Sequence, residues 1–195
     1  MPRIEAGAAR GRRLVAPTGR STRPTADRVR EALFSALEAE LGSLAGRRVA
    51  DLYAGSGAVG LEALSRGAAA VLLVEHDPGA VRSLRANVEA VGLPGAEVVP
   101  GRVERAVARP VSGATYDLVF ADPPYEMADD DLRAVLGTAA AHGWLAEGAA
   151  VVVERATRGG QWRWPDAVEA VRARRYGEAT LWYGRAGSPL QPDGE

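Results

Sequence analysis

Apolar positions recur with two different periods along this chain. Val29, Leu33, Phe34, Leu37 and Leu41 are spaced three and four apart, which places them on one stripe of a helix that starts at Thr25. Thr25 is positioned to cap it, Asp27 and Glu31 lie early enough to suit its dipole, and Gly42 and Gly46 end it. Beyond residue 47, short runs of Val, Leu and Ala alternate with amphipathic stretches. The pattern predicts strands over 48–53, 71–75, 97–100, 116–121 and 149–154, with helices over 59–66, 79–91, 103–108 and 130–141. Five units in this alternation imply a mainly parallel sheet with helices on both faces. Residues 167–174 and 179–185 leave no room for a helix between them and predict an antiparallel pair.

Before the first helix, 4–9 and 12–15 flank Arg10-Gly11 and predict a short basic hairpin, followed by a link bounded by Pro17 and Pro24. The expected organisation is a hairpin and helix extension over 1–45, one catalytic domain over 46–186 and a frayed tail over 187–195. At 195 residues, 47% hydrophobic and 25% charged with net charge -1, the composition is that of one globular α/β domain. All 24 basic residues are Arg, which excludes lysine chemistry. There is no Cys and there are two separated histidines, His76 and His142, so neither a disulfide scaffold nor a metal site is expected. Without a signal-like run or a membrane-length apolar stretch, a cytoplasmic protein is expected. Eight of the arginines crowd the first thirty residues against Glu5 and Asp27, a field that favours polyanions.

Two motifs carry chemistry. The first strand runs into Asp51-Leu52-Tyr53-Ala54-Gly55-Ser56-Gly57-Ala58-Val59-Gly60, where Gly55, Gly57 and Gly60 fit the turn that brings backbone against a nucleotide-like ligand. Glu75, at the end of the next strand, stands where an acidic group grips ribose hydroxyls. A nicotinamide enzyme is the first rival. Asp51 argues for S-adenosylmethionine instead, because a carboxylate suits the ammonium of a bound amino acid and repels a pyrophosphate.

The second motif is Asp122-Pro123-Pro124-Tyr125, at the end of the fourth strand. An aryl amine is a poor nucleophile because its lone pair is delocalised into the ring. Asp122 and the Pro123 carbonyl can accept its two N–H bonds, Pro124 stiffens the turn, and Tyr125 can stack on an unstacked base.

Taken with Arg20-Ser21-Thr22-Arg23-Pro24-Thr25-Ala26-Asp27-Arg28-Val29-Arg30-Glu31 and Leu61-Glu62-Ala63-Leu64-Ser65-Arg66-Gly67-Ala68, these motifs resemble the RsmD family of bacterial 16S ribosomal RNA guanine-N2 methyltransferases. The resemblance implies a Rossmann-like class I methyltransferase fold with seven strands, the last antiparallel. It implies S-adenosylmethionine as cofactor and 16S ribosomal RNA in an assembling 30S particle as partner, with the protein expected as a monomer. By that resemblance Asp51, Ala54, Gly55 and Gly57 hold the methionine part and Glu75 the ribose, while His76, Arg102 and Val103 border the adenine. A polar or acidic side chain commonly follows the third strand in such enzymes, and this chain has Gly101-Arg102-Val103 there. Arg10, Arg12, Arg13, Arg23, Thr25 and Arg28 are expected on RNA. Two alternatives stay open at this point: an adenine-N6 DNA methyltransferase, and an assembly factor that binds RNA without catalysis. Trp162 and Trp164, in an Arg-containing loop, are expected mainly to pack.

Overall fold

The computed structural model describes residues 2–16, 24–111 and 113–187, the side chains of 24–26 excepted. Pro17, Arg23 and the expected tail beyond residue 187 therefore lie outside the described residues. Strands β1 (Arg48–Leu52), β2 (Ala70–Glu75), β3 (Ala96–Pro100), β4 (Tyr116–Ala121), β5 (Leu145–Ala156), β6 (Val168–Tyr176) and β7 (Ala179–Ala186) form one sheet in the order β3-β2-β1-β4-β5-β7-β6. The first five are parallel. β7 is antiparallel to both β5 and β6, so β6 is an edge strand that runs in the direction of β5.

Alternation along the strands sorts side chains onto two faces. Val49, Val71, Leu73, Leu118, Phe120 and Val152 point to one face, covered by α1 (Pro24–Leu41), α2 (Ala58–Ser65) and α3 (Pro78–Val91). Ala50, Leu52, Leu72, Val74, Val119 and Val151 point to the other, covered by α4 (Val103–Val107) and α5 (Asp129–Ala141). The α1 range includes Thr25, so this residue lies within the helix and not ahead of it as a cap. α3 has the capping its sequence implies, with Asp77 accepting the Ala80 N–H at 2.7 Å, Pro78 first in the helix and Gly92 ending it at φ 66°.

The hairpin differs from its expected form. Its arms pair only around Arg3 and Arg13, and a broad turn between them is docked on α2. Ile4, Ala9 and Leu14 are buried in the same core as α1 and the sheet. The docking explains why α2 carries polar residues on a buried face. Glu62, with no exposed surface, accepts the Glu5 N–H at 2.8 Å and the Ala6 N–H at 3.1 Å, and Ser65 Oγ accepts from Ala9 at 2.9 Å. Gly7, at φ 80°, has to be glycine, since a Cβ there would lie 1.8 Å from the Ser65 carbonyl. Arg30 closes the arrangement, donating to the Arg3 carbonyl at 2.7 Å and lying 3.1 Å from Asp27.

Candidate active site

The strand order departs from β1 in both directions, to β2 on one side and β4 on the other. In open α/β sheets such a reversal leaves a crevice at the carboxyl ends of the strands, where ligands bind. Leu52 pairs with Ala121, so Tyr53 and Asp122 leave the sheet side by side. A single strand pairing thus brings together two motifs that are distant in sequence.

Asp51 is 2% exposed, and its Oδ2 accepts the Gly60 N–H at 3.0 Å. Burial pushes its carboxyl up to about 7, the Gly60 N–H opposes the rise, and the charges of Asp122 and Glu75 add to it. Glu75 is also buried. Its Oε2 accepts the Gly55 N–H at 2.9 Å, and its Oε1 accepts those of His76 and Asp77 at 2.8 Å each. A carboxylate has about four lone-pair positions, so three backbone donors leave room for one more. Ala54 is buried, and its carbonyl receives the Gly57 N–H at 2.7 Å. His76 is exposed, its Nδ1 lying 3.4 Å from Glu75 Oε1. The Gly101 N–H donates to the Glu75 carbonyl at 2.8 Å, bringing Arg102, ahead of α4, to the same rim, whereas Val103 is buried in the core under the sheet.

Gly57 is required for a reason other than ligand clearance. It stands at φ 78°, and a Cβ there would meet Leu84 Cδ1 at 2.4 Å, on the side of the core. Gly60 is likewise a packing glycine, because a Cβ would lie 2.4 Å from Leu73 Cδ2. Among the described residues Tyr53 alone has a positive φ without being glycine, at 69°. Such a conformation costs roughly 1–3 kcal/mol and clusters at functional sites.

In the second motif Pro123 is buried and Tyr125 is 76% exposed, one of the few large apolar side chains left in solvent. The Met127 N–H donates to the Pro124 carbonyl at 3.0 Å, closing the turn and leaving the Pro123 carbonyl outside it. Arg155, near the end of β5, fastens the segment that runs from the motif into α5. Its Nε donates to Asp129 at 2.7 Å and its guanidinium also donates to the Met127 carbonyl, while the Tyr53 hydroxyl lies 3.4 Å from Met127 Sδ. Sequence reasoning missed Arg155, although an arginine closing an apolar strand is a signal that it has a buried partner.

The expected RNA-facing residues do not all lie together. Arg12, Arg13 and Arg28 are exposed, and Arg13 and Arg28 line an open cleft of ≈ 570 Å³ with Arg3, Glu5, Asp27 and Glu31. Arg10 lies on the turn docked against Ser65, the last residue of α2, and hence away from the strand ends that carry Asp122. Arg23 and the Thr25 side chain fall outside the described residues. Trp162 is buried and meets Trp164 edge-on at 5.8 Å, so this pair packs the core. Among the described residues no group of three or more acidic or histidine side chains is arranged to hold a metal ion, and no helix is long and apolar enough to cross a membrane.

A parallel sheet reversing at β1 and β4, with a glycine turn at one strand end and Asp-Pro-Pro-Tyr at its neighbour, defines a Rossmann-like methyltransferase. A solved structure of the Escherichia coli protein yhhF has this fold at a TM-score of 0.83, 32% identical, covering 95% of this chain and 97% of that one. The family model described as Conserved hypothetical protein 95 matches residues 2–185, and the chain belongs to this family, the RsmD family that its motifs resemble. Ribosomal RNA small subunit methyltransferase D of Escherichia coli (strain K12) is 37% identical over 158 residues, 81% of this chain and 76% of that protein. Its namesake from Haemophilus influenzae is 32% identical over 154 residues, 78% of this chain and 77% of the relative.

Proposed function

We propose that this protein transfers a methyl group from S-adenosylmethionine to the exocyclic N2 amine of a guanine in small-subunit ribosomal RNA, on an assembling particle. The observation that carries the reading is the adjacency of the buried Asp51 at the end of β1 and Asp122-Pro123-Pro124-Tyr125 at the end of β4, with Tyr125 held out in solvent. The names of the relatives supply the RNA.

The donor set fits a cation that carries an amino acid and a ribose. Asp51 is an acid whose proton is held loosely enough near neutrality to be displaced by an ammonium, and Glu75 has one lone-pair position for a ribose hydroxyl. Asp51, Ala54, Gly55 and the turn at Gly57 would hold the methionine end, with His76, Arg102 and the backbone at Val103 around the adenine. S-adenosylmethionine, when bound, supplies a methyl on a sulfonium whose departure leaves a neutral thioether.

Tyr125 stacks on the splayed-out base, which an RNA loop presents at lower cost than a duplex does. Asp122 accepts one amine N–H and the Pro123 carbonyl the other. The nitrogen lone pair is thereby turned out of conjugation toward the methyl group. As the N–C bond forms and the C–S bond breaks, the nitrogen becomes cationic, and Asp122 is placed to take the proton it sheds. Alignment supplies much of the rate.

The test is transfer of labelled methyl to purified small-subunit particles and to duplex DNA, by the wild type and by Asp122→Ala. Label in the ribosomal RNA alone, lost in the variant, is the expected result. Label in DNA, or none in either, overturns the reading.

A further inference from the structure

β6 is the outer strand on the side of the sheet beyond the acceptor motif, and its register fixes where its arginines stand. Ala121 pairs with Val153, Val153 with Trp182, and Trp182 with Ala173. Arg174 and Arg175 come after Ala173 in the same direction as Asp122 and Pro123 come after Ala121. They are therefore level with the acceptor motif, three strand spacings away, which is roughly 14 Å. Arg158, in the turn after β5, joins them, since Thr157 donates its N–H to the Glu178 carbonyl at 2.8 Å and ties that turn to the β6–β7 hairpin. Arg158, Arg174 and Arg175 are all exposed.

Protection of the sheet edge does not account for this cluster. A single charge or a bulge suffices to discourage pairing along an edge, and β6 already has an irregularity between Ala170 and Arg172 with exposed Glu169 upstream. Arg172 is engaged elsewhere, 3.2 Å from Glu40 on α1. Glu154 and Glu178 stand at the same rim, and Arg175 Nε donates to the Gly177 carbonyl at 3.1 Å, using one of the five N–H donors of its guanidinium.

We infer that Arg158, Arg174 and Arg175 form a second phosphate-binding rim, holding the RNA strand on the β6 side of the target nucleotide while the arginines near α1 hold it on the other. The inference rests on the RNA reading and extends it. A base drawn onto Tyr125 leaves a strand entering and a strand leaving the crevice. The rim lies along one of these paths, within the reach of a few nucleotides.

The experiment uses unmethylated small-subunit particles, with the full-length protein carrying Arg158→Gln, Arg174→Gln and Arg175→Gln together. Three phosphate contacts to a largely single-stranded region contribute about 0.7 each to the log–log salt slope, so the slope of binding should shrink by about 2. KM for the particles should rise about tenfold or more, while kcat, S-adenosylmethionine affinity and the denaturant midpoint stay at wild-type values. A slope and KM equal to wild type, where the wild type binds with clear salt dependence, overturn the rim alone. A wild type with neither salt-dependent binding nor methyl transfer overturns the RNA reading and the rim together. A fall in kcat at unchanged KM and slope also contradicts the rim, because it would give these arginines a role at the acceptor.

Discussion

Asn87 is bonded to Val15 like a neighbouring strand, accepting its N–H at 2.7 Å and donating to its carbonyl at 2.9 Å. The same side-chain amide donates to the Ser56 carbonyl at 2.8 Å in the glycine turn. One fully buried residue on α3 therefore ties the amino-terminal segment to the glycine turn. Asn87→Leu keeps the volume and leaves three backbone groups without partners, at about 1–3 kcal/mol for each that stays dry. The expected outcome is a loss of about 2–4 kcal/mol in urea unfolding, with S-adenosylmethionine affinity falling about tenfold as the turn loosens. A variant of wild-type affinity in calorimetry would separate the arm from the turn.

The anchor of the hairpin makes a second prediction. Glu62 receives two backbone N–H groups and the Arg66 Nε at 2.8 Å with no solvent exposure. Removing one side of a buried charged network costs about 3–5 kcal/mol. Glu62→Ala should lose that much in denaturant unfolding, and Glu62→Gln less, because the amide oxygen still accepts. Equal stability of all three proteins would contradict the anchoring role.

A pH dependence arises from Asp51. Burial pushes its carboxyl from 3.8 up to about 7, so the folded protein without cofactor keeps a proton that the unfolded chain has already lost at intermediate pH. Its contribution to stability is present at low pH and is lost as pH rises through about 7. In the proposed complex the ammonium of S-adenosylmethionine would favour the ionised carboxylate and expel that proton. Cofactor affinity should therefore rise by up to about tenfold per unit as pH climbs toward about 7 and level off above it. Calorimetry in buffers of different ionisation heat should register close to one proton released near pH ~6. Asp51→Asn should weaken binding and abolish both effects, and an affinity that falls with rising pH would exclude this role.

Much of the fold was legible because strand and helix periods alternate cleanly, and strand ends mark where ligands gather. Asp51, Glu75 and Asp122 could be singled out because each stands at the end of an apolar run. Asn87, Glu62 and Arg155 could not be assigned in this way, since their partners are backbone groups 72, 57 and 28 residues away. Only the polar character of Asn87 among Val81, Leu84 and Val91 hinted at a buried partner. For Gly57 the need for glycine was legible, but not its cause. The left-handed turn sends a Cβ toward Leu84 and the core, so Gly57→Val should reduce stability as well as binding.

Arg155 offers a test of how the acceptor loop is held. Arg155→Met removes the donors to Asp129 and to the Met127 carbonyl while keeping much of the side-chain volume. Turnover is expected to fall roughly 10- to 100-fold, because misplacement of about 1 Å can cost about 10²-fold, with S-adenosylmethionine affinity unchanged. Arg155→Lys should recover part of it. Equal turnover in Arg155→Met and wild type would show that the loop keeps its shape without the clamp.

The most direct measurement replaces the target guanosine with inosine, which keeps the ring, N7, O6 and the N1 hydrogen but lacks the 2-amino group. Stacking on Tyr125 and phosphate contacts should survive, while Asp122 and the Pro123 carbonyl lose the amine N–H bonds proposed for them, at about 1–3 kcal/mol for each bond not replaced. Small-subunit particles reconstituted with inosine at the mapped target should bind more weakly and take up no labelled methyl. Methylation of that inosine would place the acceptor at a ring nitrogen or the ribose and contradict the amine-directed mechanism.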